Sequence, residues 1–296
     1  MSGQSASRSM LVGDDGVSIF VDGMLADPQL DHPEGLAVDP RDGAVWCGGE
    51  RGQIYRVDPD GSGFDQVAST DGFCLGMAFD RAGDLFVCDL KHAAVFRLDT
   101  TSGRVQRFAD GSPGGRFRIP NYPAFDTEGR LYVSDSHAFR DPGPGVFRID
   151  PHGRGELWFD RPLDFANGLA LSADGRWLYV AETFGSAVGR IEIRDDGSAG
   201  EHERIATIPD VFPDGLAAGR DGNVYVGCYE PSQVLRIDPR GQVDVVYREI
   251  SAHTLTHPTN LAFRDTTLFT TNLGRWHLTR IELGVPGVAL PPGADA

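Results

Sequence analysis

Glu34, Asn121, Asn167 and Asp214 stand out because their side-chain oxygens recur in one column of the sequence. Each opens a short apolar step: "EGLAV", "NYPAF", "NGLAL" and "DGLAA". Leu75 and Thr259 hold the same column in two further copies, and the intervals along the chain are 41, 46, 46, 47 and 45 residues. Two carboxylates and two neutral amides, brought together, would suit a hard divalent cation. Their combined charge neutralises such an ion. Four protein oxygens would still leave coordination positions for water or substrate, which marks a catalytic rather than a purely structural site. Taken one at a time, Asn, Asp or Glu before Gly is also an ordinary turn residue. Only the register across copies lifts the four above that reading.

The copies that carry the column cover most of the chain. They read "PEGLAVDPRDGAVWCGGERGQIYRVD" (33–58), "CLGMAFDRAGDLFVCDLKHAAVFRLD" (74–99), "PNYPAFDTEGRLYVSDSHAFRDPGPGVFRID" (120–150), "ANGLALSADGRWLYVAETFGSAVGRIEI" (166–193), "PDGLAAGRDGNVYVGCYEPSQVLRID" (213–238) and "PTNLAFRDTTLFTTNLGRWHLTRIE" (258–282). Each has an apolar run, a turn such as "DPRDGA" or "ADGR" whose Gly suits positive φ, a second apolar strand, and a third strand alternating apolar residues with Arg. A fourth, less regular strand ends the unit, as in "FDQVAS" or "VDVVYRE". Four antiparallel strands repeating every 40–47 residues mark the blade of a β-propeller. The fold class is therefore all-β, a six-bladed β-propeller in one domain over 16–284. The sixth copy lacks its outer strand, and "GVSIFVDG" (16–23) is expected to supply it and close the ring. Residues 1–15 read as a flexible leader and 285–296 as a Pro-rich tail. The first strand of each blade lines the channel, so the column becomes a ring at one end of it.

Composition narrows the partners. Lys and Arg number 27 against 43 Asp and Glu, a net charge of −16. Such a surface repels nucleic-acid phosphate and anionic lipid, so neither nucleic acid nor membrane is expected as a partner. No apolar run is long enough to span a bilayer and no signal-peptide core is visible, which points to a cytoplasmic protein acting on a small molecule as a monomer or simple homodimer. Cys47, Cys74, Cys88 and Cys228 have no metal-ligand spacing and read as buried apolar residues.

The motifs "HPEGLAVD", "IPNYPAFDTEGRLYVSD", "ANGLALSADGRWLYVAET", "FPDGLAAGRDGNVYVGCY" and "PTNLAF…TTNLGRWHLTRI" resemble the gluconolactonase family that includes regucalcin (senescence marker protein) and the luciferin-regenerating enzymes. The chain also looks like the related diisopropylfluorophosphatases and bacterial lactonases. The resemblance spans about 16–284. It implies that Glu34, Asn121, Asn167 and Asp214 bind one divalent metal ion, Ca²⁺ or Zn²⁺, with Mg²⁺ or Mn²⁺ tolerated; the all-oxygen set favours Ca²⁺ on hardness. It implies hydrolysis of a lactone or related ester, with Asp214 as base or water-orienting group. A phosphotriesterase on the same ring, and a non-catalytic Ca²⁺- or ligand-binding propeller, are the alternatives. A strictosidine synthase-like, metal-free enzyme would instead need Glu182 as its catalytic carboxylate. Two departures bear on substrate: Tyr122 follows Asn121 where the family often has Asp, and Ile119 stands where the sugar lactonases carry an Arg, with Arg118 beside it. Expected substrate contacts are Asn121, Tyr122, Arg118, Glu182, Tyr229, His257 and Asn260, with His257 a candidate proton shuttle. His137, Phe184, Asn272 and Trp276 are further residues expected at the rim.

Overall fold

A computed structural model describes residues 10–288. It contains six four-stranded antiparallel sheets, the blades of a six-bladed propeller. The inner strands are Leu36–Val38, Cys74–Phe79, Pro120–Phe125, Ala166–Leu171, Phe212–Ala218 and Pro258–Arg264. In blades one to five the other three strands follow in chain order. Blade six is completed by Val17–Asp22, which pairs antiparallel with His277–Glu282, Val17 facing Ile281 and Asp22 facing His277. The ring is thus closed by the N-terminal strand, as its sequence pattern predicts.

The inner hairpins explain the repeated glycines. Gly43, Gly83, Gly129, Gly175 and Gly222 close the first turn of blades one to five with φ between +69° and +88°. A side chain with a Cβ pays a steric penalty there. Blade six turns instead on Asp265, at φ +51°. The Arg of the third strand is equally structural: Arg56 pairs with Asp42, Arg190 with Glu203 and Arg236 with Asp244, at 2.7–2.8 Å on the outer surface.

Apolar side chains gather between blades rather than at one centre. Six buried clusters each join two neighbouring sheets, for example Tyr179, Val188, Leu216 and Val226 between blades four and five. Phe86 and Phe125 meet edge-to-face at 5.0 Å between blades two and three. A pair of that geometry contributes about 0.5–1.5 kcal/mol beyond its buried area. All four cysteines are free and buried.

Both chain ends are attached where they are described. Leu11 and Val12 donate their amides to the carbonyls of Val245 and Val246 on the outer strand of blade five. Val288 donates to Ala218 at 2.8 Å on the same blade. The leader is therefore docked from residue 10 onward, because Val12 is buried there and the backbone finds partners. The rest of the leader, 1–9, and of the tail, 289–296, lies outside the described residues. No helix among the described residues is long and apolar enough to cross a membrane.

Candidate metal centre

The four oxygen-bearing residues lie at the N-terminal ends of inner strands, all buried to 7% exposure or less. The strand is not regular at this point. In blade three Pro120 pairs with Asp135 but Pro123 with Val133, so the inner strand carries one extra residue. The same break falls between Ala166 and Leu169, Pro213 and Leu216, Pro258 and Leu261, and Cys74 and Met77. A bulge frees its residues from the ladder and re-aims their side chains. The Asn-Gly and Asp-Gly steps are therefore bulges, not turns; in blade one the Glu34 amide donates to the Gly48 carbonyl and the Gly48 amide to the Gly35 carbonyl.

The residue after each ring position explains the glycine. A Cβ on Gly35 would lie 2.0 Å from the Leu75 carbonyl oxygen of the next blade, and one on Gly168 2.4 Å from that of Asp214. Neighbouring inner strands touch there, and only glycine fits. Blades three and six depart from the rule with Tyr122 and Asn260.

Each amide is held in one orientation. Asn121 Nδ2 donates to Ser136 Oγ at 3.0 Å, and that hydroxyl donates to the Ala166 carbonyl at 2.7 Å. Asn167 Nδ2 donates to Thr183 Oγ1 at 3.2 Å, which donates to the Pro213 carbonyl at 2.8 Å. Each hydroxyl's only proton is committed to a carbonyl, so it can accept only the NH₂ group. That leaves Asn121 Oδ1 and Asn167 Oδ1 with no hydrogen-bond partner, and the same holds for Glu34 Oε2 and Asp214 Oδ1. The hydroxyls of Thr259 and Thr271 sit 3.0 and 2.6 Å from the Glu34 carbonyl oxygen, which ties the blade-six position to blade one.

Buried polar atoms without partners are rare, and four acceptors from one aligned column ask for a shared donor or cation. Burial pushes the Glu34 carboxyl well above the usual carboxylate range, with the Asp214 charge adding to it. Burial also raises Asp214, against the opposing effect of the Asn167 amide. Two crowded carboxyls that resist ionisation in the bare protein are what a divalent cation would relieve. The donors are all hard oxygens, two of them anionic, so the set fits such an ion. Among the described residues no three His, Cys, Asp or Glu side chains converge elsewhere as a metal cluster; this centre depends on its amides.

A family-wide sequence profile, described as the SMP-30/gluconolactonase/LRE-like region, matches residues 32–273. The chain belongs to this family. It is 29% identical over 201 residues to lactonase drp35 of Staphylococcus aureus (strain bovine RF122), covering 64% of this chain and 61% of that protein. It is 28% identical over 219 residues to lactonase drp35 of Staphylococcus haemolyticus, covering 70% of this chain and 66% of that one. The chain thus spans just under two thirds of the length of these curated relatives. Among solved structures, a gluconolactonase from Xanthomonas campestris superposes with TM-score 0.76 at 23% identity, over 97% of this chain and 93% of that one. The calcium-binding protein regucalcin from Agrobacterium tumefaciens gives 0.69 at 16%, over 88% and 94%. At these identities the two structures attest the fold.

Within this SMP-30/gluconolactonase-like propeller the other expected contacts separate. Burial raises the Tyr229 phenol, and the charges of Glu34, Glu230 and Asp214 add to that. His257 stacks on Tyr229 with centroids 4.6 Å apart, and its Nδ1 is 2.9 Å from the Tyr229 carbonyl oxygen. Asn260 is buried with neither amide atom partnered. Arg118 is exposed, its Nη1 2.8 Å from His137 Nε2. Two expectations need correction. Tyr122 is not an open contact. It is buried, and its hydroxyl lies 3.3 Å from the carbonyls of both Leu216 and Leu261, so the ring reaches from blade three to blades five and six. Glu182 is engaged elsewhere: it accepts from Arg204 Nε and Nη2 at 2.9 Å and from the Asp164 amide at 3.0 Å. No free carboxylate remains there for metal-free catalysis. Asn272 is likewise a loop staple, its Oδ1 2.7 Å from the Thr256 amide.

Beyond Ile119 and His257, the segments leading into the ring positions carry four further residues, His32, Phe73, Phe165 and Phe212. Two places before each ring position stand His32, Phe73, Ile119, Phe165, Phe212 and His257. His32 Nδ1 is 2.8 Å from the Leu273 carbonyl oxygen, and its ring lies 4.9 Å from that of Trp276. His32, Phe165 and His257 all have left-handed backbone, φ +36°, +62° and +46°. His32, Phe73, Phe165 and Phe212 share the upstream column of Ile119 and His257, and that column is the signal that marks them.

Proposed function

We propose that this chain hydrolyses a lactone or a related cyclic ester, with one divalent metal ion held by Glu34, Asn121, Asn167 and Asp214. The observation that carries this reading is the set of four buried, partnerless oxygens in one repeat column. Membership of a family with lactonase relatives supports the substrate class. Ca²⁺ suits an all-oxygen set best; Zn²⁺, Mg²⁺ or Mn²⁺ are the other candidates. When bound, such an ion supplies Lewis acidity towards a carbonyl oxygen.

The remaining work falls to the chain. Asp214 orients the attacking water or takes its proton, a role supported by its buried carboxyl oxygen having no partner in the protein. Asn121 and Asn167 add donors without adding charge, and Ser136 and Thr183 keep those donors aimed. Tyr122 fills the space between blades three, five and six, which keeps water from crossing behind the ring. Tyr229 presents a phenol beside the carboxylates, where it can donate to a developing oxyanion.

The test is elemental analysis of protein purified without added metal, followed by assay on γ- and δ-lactones before and after chelation. One ion per chain with chelator-sensitive turnover is the expected result. An ion without turnover would make this a binding propeller, and turnover of phosphotriesters instead of lactones would move the chemistry to phosphorus.

A further inference from the structure

The mouth above the ring is apolar on one side. Phe165 and Phe212 stand two residues before Asn167 and Asp214, and Ile119 two before Asn121. Phe165 and Phe212 are half-buried in the segments that lead into the ring positions, whereas Ile119 packs against the core between blades two and three. Phe184, in the loop after the second strand of blade four, packs between Phe165 at 4.8 Å and Phe212 at 6.1 Å. Phe139, from the corresponding loop of blade three, extends the group outward at 4.7 Å from Phe184. It is 70% exposed. Arg140 lies 5.6 Å from the centroids of both Phe139 and Phe184, occupying one face of each.

A sugar lactone needs donors and acceptors for its hydroxyls. Beside the ring this wall offers only Phe side chains; its one cation, Arg140, lies over Phe139 and Phe184 at the outer end, and Arg118 pairs with His137. A large Phe left 70% exposed at the end of a continuous aromatic row is not explained by packing within the chain. The row begins beside two ring residues and runs outward, which fits a ligand whose reacting end is at the ring and whose other end is apolar.

We infer that the substrate is a lactone carrying an apolar aryl or alkyl substituent, seated on Phe165, Phe184, Phe212 and Phe139, with the ester carbonyl towards the ring. This deepens the lactonase reading and rests on it for the reacting group. The polar half of the mouth, His257 and Tyr229, then faces the ester side.

Binding separates the two claims, because it can be read without turnover. Calorimetry on metal-loaded protein would compare δ-valerolactam with its phenyl-substituted form, both resistant to hydrolysis. The phenyl lactam is expected to bind roughly tenfold tighter or more. Phe184→Ser is expected to remove most of that ratio and Phe139→Ser several-fold of it; the exposed position of Phe139 makes its variant safe for folding. Equal binding of the two lactams, or a ratio untouched by both substitutions, overturns the inference even if lactones are turned over. A phenyl preference lost in Phe184→Ser, in a protein that hydrolyses no lactone, keeps the apolar seat and overturns only the reaction assigned to it.

Discussion

Two sets of buried acids and amides sit at the same end of this propeller, 14 residues apart in blade three and 15 in blade four. One is the ring of Glu34, Asn121, Asn167 and Asp214 at the start of the inner strands. The other is Asp89, Asp135, Glu182 and Asn272 at the end of the second strands. Residue types and burial are alike, 7% exposure or less in the first and 3% or less in the second. Their partners are opposite. Asp89 accepts from Thr70, Phe73 and His92, and Asp135 from the amides of Arg118, Ile119 and His137. The second set staples the loops that lead into the inner strands. The first leaves an oxygen on every member unpaired. An unpaired acceptor is open to a ligand, whereas a fully paired one holds the loop it bonds.

The sharpest way to break this contrast is to neutralise one ring member. Asp214→Asn is expected to abolish stoichiometric metal binding and lactone turnover, without lowering the melting temperature of the metal-free protein, because the carboxylate it removes is buried and uncompensated. Elemental analysis and a melting curve on the chelated form check both halves. One ion per chain in this variant would remove Asp214 from the ligand set.

A subtler change leaves the ring intact and frees an amide. Thr183→Val removes the hydroxyl that accepts Asn167 Nδ2 and supplies nothing in its place. Asn167 can then rotate its NH₂ towards the cation. A loss of about 10–100-fold in metal affinity is expected, the usual effect of losing a group that orients a ligand. A titration with Ca²⁺ reads it, and unchanged affinity would mean that Asn167 is aimed by packing alone.

The staples should respond in stability instead. Glu182→Gln keeps an acceptor for the Asp164 amide but loses the charged fork to Arg204. Arg204 is 49% exposed, so solvent screens the pair and a cost of about 1–2 kcal/mol is expected, with metal content unchanged. Burial alone would raise the Glu182 carboxyl, yet Arg204 and the Asp164 amide hold it below the usual range. A depressed carboxyl stabilises the fold above its unfolded-state pKa and loses that stability as pH falls through its folded one. The penalty of Glu182→Gln is therefore present at neutral pH and shrinks in acid. A penalty constant from neutral to strongly acidic pH would mean that charge is not what Glu182 contributes.

How much of this was legible depends on whether a feature repeats. The blades were legible because each copy is one supersecondary unit, with turn glycines in five copies and a third-strand Arg in all six. Closure by Val17–Asp22 followed from counting strands. The ring was legible as a column, although its glycines were not turn residues: the bulge and the close approach of the next blade are three-dimensional facts. Glu182 misled because a carboxylate at a strand end reads the same whether or not an Arg from the fourth strand reaches it. The aromatic seat was hidden for another reason. Phe139 and Phe184 come from loops of unequal length, 136–142 and 183–186, so no alignment of copies brings them together.

Tyr122 is the smallest test and the one that probes both sets at once. It follows Asn121 in the place where blades one, two, four and five have glycine. It therefore belongs to the ring by position and to the staples by its partners, since its hydroxyl is shared between the Leu216 and Leu261 carbonyls at 3.3 Å each. If the partner rule holds, satisfaction decides and Tyr122 is structural. Tyr122→Phe keeps the ring that fills the space and removes only two long hydrogen bonds. A cost of about 0.5–1.5 kcal/mol in stability is expected, with metal affinity and kcat on a simple lactone within about twofold of the parent. A tenfold fall in kcat at unchanged stability would place the phenol among the reacting groups and show that, at this position, sequence column outranks hydrogen-bond satisfaction.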